Sequence, residues 1–180
     1  MRDEATKAPS IVAKVLFFFS QVLEVCIPLK PYDRKFKFAT VCTGADSPMH
    51  ALVHLLGGSD EIDYIFGCDV WPVARNFTEA NYAPNHMFLD VKDLLSSKAP
   101  CTSCKGECMA AMQEDIDLLV GGFPCKAFSA LDPQRWDGRD IWKDPRARPF
   151  LHISTYLRTR AEAGRPVRAF ILVNVSNDIN

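Results

Sequence analysis

The sequence predicts an α/β domain built around a parallel sheet, and three observations carry that prediction. Short apolar runs rich in β-branched and aromatic residues recur at Phe36–Cys42, Ile62–Cys68, Met87–Leu89, Ile116–Val120 and Ala169–Val173. Stretches of helical periodicity stand between several of them, the alternation that gives parallel strands and right-handed crossovers. Glycine and proline sit at the corners rather than inside the runs. At 180 residues the chain fits one domain, and its 48% hydrophobic and 24% charged content excludes disorder by composition.

The elements follow in order. Residues 1–9 read as a loose tail. Ile11–Ile27 is apolar but holds Lys14, Gln21 and Glu24, which makes it too polar for a comfortable membrane span. Ile11, Val12, Val15, Leu16, Phe19, Val22 and Leu23 recur at helical spacing. They predict an amphipathic helix packed on the sheet and ended by Pro28 and Pro31. A signal anchor is the alternative, because Phe17 and Phe18 widen the apolar face. Phe36–Cys42 opens the sheet. Thr43 to Ser47 then form a tight turn, with Ser47 as N-cap and Pro48 as the first residue of a helix running to Leu56. Gly57 and Gly58 stop that helix. The Ile62–Cys68 strand leads into a helix from about Pro72 to Asn81, and Met87–Leu89 is a short strand ending at Asp90. Residues 96–115 are a polar, cysteine-bearing excursion. Residues 130–148 are a long basic loop with Trp136 and Trp142. A helix over Phe150–Ala163 and the Ala169–Val173 strand close the series.

Charge and cysteine content bound the setting. The net charge of −1 does not announce a nucleic-acid binder. Between Arg135 and Arg168, however, nine Lys/Arg face four acids, so that stretch is either a phosphate-meeting face or an ordinary solvated surface. Seven cysteines without a cleavable signal point to a reducing, intracellular environment. Cys101, Cys104 and Cys108, with His86 as a conceivable fourth ligand, form an incomplete zinc signature. Free surface thiols and no metal are the favoured reading there.

Two stretches carry chemistry. At Gly44 a glycine turn meets a helix N-terminus, where backbone N–H groups suit a nucleotide-like ligand. One strand–helix–strand step later Asp69 stands at a strand end, where a carboxylate accepts hydrogen bonds from ribose hydroxyls. Residues 117–129 read Asp-Leu-Leu-Val-Gly-Gly-Phe-Pro-Cys-Lys-Ala-Phe-Ser. Gly121 and Gly122 let the backbone bend, Pro124 stiffens it, and Cys125 is delivered at the C-terminal end of a strand, where α/β sheets place their ligands. A thiol there is a candidate nucleophile.

That loop resembles the catalytic loop of the DNA (cytosine-5)-methyltransferases, Gly-Gly-x-Pro-Cys-Gln-x-Phe-Ser, with Lys126 in place of the glutamine. The rest of residues 36–175 falls into the family's order. Thr40 to Ser47 stands where the family has Asp-x-Phe-x-Gly-x-Gly-Gly, and Gly44 is the matching glycine. Cys68 to Ala74 with Tyr82 and Asn85 resembles Glu-x-x-x-x-Ala…Tyr-x-x-Asn, with Asp69 at the glutamate. Asp90 resembles the acid of Gly-Asp-Ile. Asp144-Pro145-Arg146 with Phe150 resembles Asp-x-Arg-x-x-Leu-Phe. Val173-Asn174-Val175 stands at the Glu-Asn-Val triplet.

The resemblance implies a Rossmann-like class I S-adenosylmethionine-dependent methyltransferase fold, incomplete at the C-terminus. It implies residues 1–35 as tail and helix, and residues 36–180 as a partial catalytic domain without a target-recognition region. It assigns S-adenosyl-L-methionine to Gly44, Asp69, Val70, Trp71 and Asp90. Cys125 would be the nucleophile that adds to cytosine carbon-6, with Pro124, Ser129, Arg146 and Asn174 on the substrate side. DNA is the implied partner, RNA the variant seen in relatives that modify tRNA, and a nuclear location follows if the cell is eukaryotic. Val173 replaces the family's acid, and valine cannot assist protonation, a contribution typically worth ~10²–10⁴ in rate. A catalytically inactive binding module on the same fold is therefore the alternative. The apolar Ala169–Val173 strand, expected at an open sheet edge, predicts self-association of the isolated chain.

Overall fold

The computed structural model describes residues 12–15, 23–26, 34–96, 98–129 and 143–174. Near the N-terminus, β1 (Val12–Val15) and β2 (Leu23–Cys26) pair antiparallel, with Val12 opposite Cys26 and Val15 opposite Leu23. The helix expected over residues 11–27 is therefore not formed there. Val12, Val15 and Val25 favour a pleated strand, and apolar spacing over so short a run does not separate strand from helix.

The main sheet has seven strands: β3 (Phe36–Val41), β4 (Ile62–Cys68), β5 (His86–Phe88), β6 (Ala99–Cys101), β7 (Gly106–Cys108), β8 (Leu118–Gly121) and β9 (Ala169–Leu172). Their spatial order is β7-β6-β5-β4-β3-β8-β9. The pairs β5–β4, β4–β3, β3–β8 and β8–β9 are parallel, while β6 runs antiparallel to both β5 and β7. The order reverses between β3 and β8. A crevice at that point, beyond the carboxyl ends of the strands, is where such sheets bind ligands. The mixed α/β architecture is consistent with a Rossmann-like methyltransferase fold.

Among the described residues four α-helices accompany the sheet: α1 (Ser47–Leu56), α2 (Pro72–Tyr82), α3 (Ala110–Gln113) and α4 (Arg148–Glu162). Strand alternation sorts the core into two layers. Phe36, Phe38, Leu118 and Val120 join Met49 of α1 and partly buried Leu52, Val53 and Leu56 on one face. Ala39, Val41 and Leu119 join Ala111 of α3 and Ile153 and Tyr156 of α4 on the other. The β3–β4 register shifts between Phe38 and Ala39, opposite Tyr64 and Phe66, so β4 carries an extra residue at Ile65. This bulge turns Phe66 into the layer under α4, against Phe88 and Tyr156.

Two polar clusters lock the frame. Asp117, at the foot of β8, accepts from Arg34 at 2.7 and 2.8 Å, from the Lys37 amide at 2.9 Å and from Arg168 at 3.1 Å. It ties the starts of β3, β8 and β9 together. Fully buried Arg160 of α4 donates to the carbonyls of Ala111, Glu114 and Arg165 at 2.5, 2.6 and 3.1 Å. Ion pairs also run through the basic stretch. Arg146 pairs with Asp144, Arg158 with Glu162, Arg165 with Asp115 and Arg168 with Asp117. Much of that charge is thus engaged within the fold; Arg135, Arg139, Trp136 and Trp142 lie outside the described residues.

Candidate active site

The predicted site residues gather along the carboxyl ends of the parallel strands. The first corner follows β3. Cys42, Gly44 and Asp46 all have left-handed backbone, at φ 54°, 52° and 52°. Such a conformation is rare for cysteine and marks a corner held by its surroundings. The N-cap of α1 is Asp46 rather than the expected Ser47. Its carboxylate does not cap the helix; it turns inward and accepts from the Tyr64 hydroxyl at 2.5 Å, while Thr40 Oγ1 lies 2.5 Å from the same hydroxyl. Burial pushes the Asp46 carboxyl up to about 6, against the hydrogen bond from Tyr64. Two departures from the family's glycine turn, Thr40 and Asp46, thus point into the core, while Ser47 is exposed at the start of α1.

The second corner follows β4. Asp69 accepts from the Gly44 amide at 2.9 Å and from the Trp71 amide at 2.8 Å, so one carboxylate joins both corners. Arg75 clasps the same turn by donating to the carbonyls of Asp69 and Val70, each at 2.8 Å. Val70 and Trp71 are 71% and 61% exposed, far more than apolar residues of a finished core. Asp90 follows β5 and is held by the Lys92 amide at 3.0 Å and the Lys92 ammonium at 3.3 Å. Cys42 lies within the influence of both acids. Burial first, then Asp69 and Asp90, push its thiol up to about 12. Gly44 and Asp69 therefore meet, and Asp90 follows the next strand of the sheet, with the exposed Val70–Trp71 pair beside Asp69.

This arrangement fits the adenosine end of S-adenosylmethionine. A carboxylate has about four lone-pair sites, so Asp69 retains capacity for two ribose hydroxyls after its two amide contacts. Trp71 offers an open aromatic face beside it. Asp90 offers an acceptor one strand further along.

The third corner follows β8. A Cβ on Gly121 would meet Val41 Cγ2 at 2.8 Å and Leu172 Cδ2 at 3.1 Å, so only glycine lets β3, β8 and β9 close here. The Gly122 amide donates to the Val41 carbonyl at 3.3 Å and the Val173 amide to the Gly121 carbonyl at 2.8 Å. The carbonyl of Cys125 accepts from Phe128 and Ser129, both at 2.8 Å, which folds the loop into a turn. Phe123, Phe128 and Phe150 pack edge-on or tilted at centroid distances of 5.1–5.6 Å and anchor it on the first turn of α4. Pro124 is exposed, and Cys125 and Ser129 are half-buried. Arg146 is held by Asp144 through its backbone amide, Nε and Nη2 at 2.7–3.1 Å. Asn174 follows β9 directly after Val173.

The sequence did not reveal the Cys42 position between two acids, the Thr40–Tyr64–Asp46 cluster or the Arg75 clasp. The Gly-x-Asp spacing after the first strand was the available signal for Asp46. The expected cysteine excursion also holds structure: β6 and β7 form a hairpin added to β5, and α3 follows it. Its three cysteines and His86 come together, where free, unassociated thiols were the favoured reading.

No family model matches the chain. The chain is similar to the DNA (cytosine-5-)-methyltransferase DMT5 of Cryptococcus neoformans var. grubii, 29% identical over 111 residues. The match takes in 58% of this chain and 4% of that protein, so the chain spans a small fraction of the relative. It supports a distant relationship to the cytosine-5 methyltransferases. Among the described residues, no helix is long and apolar enough to cross a membrane.

Proposed function

We propose that this chain carries the cofactor corner and the nucleophile loop of a cytosine-5 methyltransferase acting on DNA. The observation that carries the reading is the Cys125 loop at the carboxyl end of β8, beside the strand whose own corner is joined to Asp69. Gly44, Asp69, Val70, Trp71 and Asp90 would hold S-adenosylmethionine, which when bound supplies an electrophilic methyl group on sulfur. Pro124 and the aromatic anchor fix the Cys125 backbone. The Cys125 thiolate adds to carbon-6 of a cytosine taken out of the duplex, which makes carbon-5 nucleophilic. Once carbon-5 carries the methyl group, loss of its proton and departure of the thiolate restore the ring. Arg146, Ser129 and Asn174 sit on the substrate side. In a eukaryotic cell this reading places the protein in the nucleus.

A second reading rests on Val173. An apolar side chain stands where the resemblance expects the acid that protonates the ring during thiolate attack, so the fold would serve as a binding module that holds cofactor and nucleic acid without turnover. Two readouts separate the readings. S-adenosylhomocysteine should raise the melting temperature under both, by ligand linkage. Tritiated-methyl incorporation into DNA by this chain should stay at background because of Val173. Incorporation above background would overturn the inactive reading, and absence of any cofactor effect would overturn both.

A further inference from the structure

We propose that His86, Cys101, Cys104 and Cys108 form a structural zinc site. The His86 Nδ1 lies 3.3 Å from Cys104 Sγ, 3.6 Å from Cys108 Sγ and 3.9 Å from Cys101 Sγ. All four ligand atoms lie within 4.8 Å of one another. Zinc–sulfur bonds of about 2.3 Å and zinc–nitrogen bonds of about 2.0–2.1 Å make a tetrahedron with edges of about 3.6–3.8 Å. The observed contacts bracket that size. Hydrogen bonding does not explain the convergence. An imidazole nitrogen that accepts has one lone pair, enough for one of the three thiols. A cation at the centre accounts for all three sulfurs and the nitrogen together.

The backbone builds the cluster from two separate segments. Cys101 and Cys108 lie on paired strands, where Cys101 faces Gly106 and Ala99 faces Cys108. The turn between them presents Cys104, with Lys105 at φ 53°. β6 docks on β5 through the Phe88–Cys101 pair and the Thr102 amide, which donates to the Met87 carbonyl at 2.8 Å. His86 and Phe88 are two residues apart on β5, share one face and stack with centroids 6.3 Å apart. That face delivers the imidazole to the hairpin. Four protein ligands leave no open position, which marks a structural rather than a catalytic metal. Three thiols would release their protons as the metal enters. The site would pin the hairpin to β5, the strand that leads to Asp90. The inference does not depend on the methyltransferase reading.

The test uses the whole 180-residue chain, purified under reducing conditions without chelator. Elemental mass spectrometry should find one zinc per chain. Replacement by cobalt should give intense visible bands of tetrahedral geometry and a thiolate-to-cobalt charge-transfer band. Cys104 is exposed, so Cys104→Ser should keep the fold by circular dichroism yet lose at least about tenfold in cobalt affinity. Substoichiometric zinc, a weak octahedral cobalt spectrum, a disulfide among the three cysteines, or cobalt binding unchanged in Cys104→Ser would each overturn the proposal. The wild-type cobalt spectrum decides the matter even if a variant misfolds.

Discussion

Replacing Asp46 by Asn should remove a pH dependence of stability that the buried turn creates. Asp46 has no exposed surface, and its Oδ1 makes no hydrogen bond among the described residues. Burial raises its carboxyl from 3.8 to about 6 in the folded protein. The folded chain therefore holds a proton that the unfolded chain gives up between those values. The stabilisation is complete below about pH 4 and is lost as pH rises through about 6. At about 1.4 kcal/mol per tenfold change in proton affinity, the loss amounts to about 3 kcal/mol. Asn tolerates the left-handed backbone of this position and keeps an oxygen to accept from Tyr64. Urea unfolding of wild type and Asp46→Asn, followed by circular dichroism from pH 4.5 to 7.5, gives the difference in stability. That difference should fall by about 2 kcal/mol across the range, to the disadvantage of wild type at the higher pH. Parallel curves would refute the argument, because a carboxyl with ordinary proton affinity makes no such slope.

Cys125 should be the first of the described cysteines to alkylate in the metal-loaded protein. Burial holds the Cys42 thiol near 12 and pushes Cys68 well up, and zinc would shield the hairpin cysteines; mass mapping that finds Cys42 or Cys68 labelled first would contradict this. Arg160→Met should cost about 3 kcal/mol in urea unfolding, because one buried and two part-buried carbonyls lose a charged donor. A cost under about 1 kcal/mol would show those acceptors rehydrate freely. Phe170 is 55% exposed on β9, the outer strand of the sheet; Phe170→Lys should reduce self-association measured by light scattering. A monodisperse wild-type monomer at tens of micromolar would remove the premise.

Much of the main sheet is legible in the sequence because local and long-range signals agree there. The Ile62–Cys68 strand and the Leu56 helix end coincide with the expected bounds, since an apolar run and a Gly-Gly stop leave one interpretation. Boundaries moved where those cues were weak. The expected Ile116–Val120 strand begins at Leu118, although the Asp117 backbone still bonds to Lys37 and Ala169 on either side. The N-terminal pairing was lost because spacing alone cannot tell a strand from one face of a helix. The β6–β7 hairpin was lost because Pro100, Gly106 and three cysteines hide strand pairing that β5 imposes from outside the segment. At the site, the strand-end residues Gly44, Asp69, Asp90 and Cys125 were readable as punctuation after apolar runs. The inward turn of Asp46 was not, because it depends on a hydroxyl from Tyr64 on the next strand.

The measurement that bears most directly on the central claim is a calorimetric titration of the chain with S-adenosylhomocysteine, repeated on Asp69→Ala. Asp69 bridges the Gly44 and Trp71 amides beside Asp90, so the account predicts saturable one-to-one binding to wild type. It predicts loss of that binding in the variant, with the far-ultraviolet circular dichroism unchanged. No heat of binding to wild type at millimolar ligand, or equal affinity in Asp69→Ala, would contradict a cofactor corner at these strand ends.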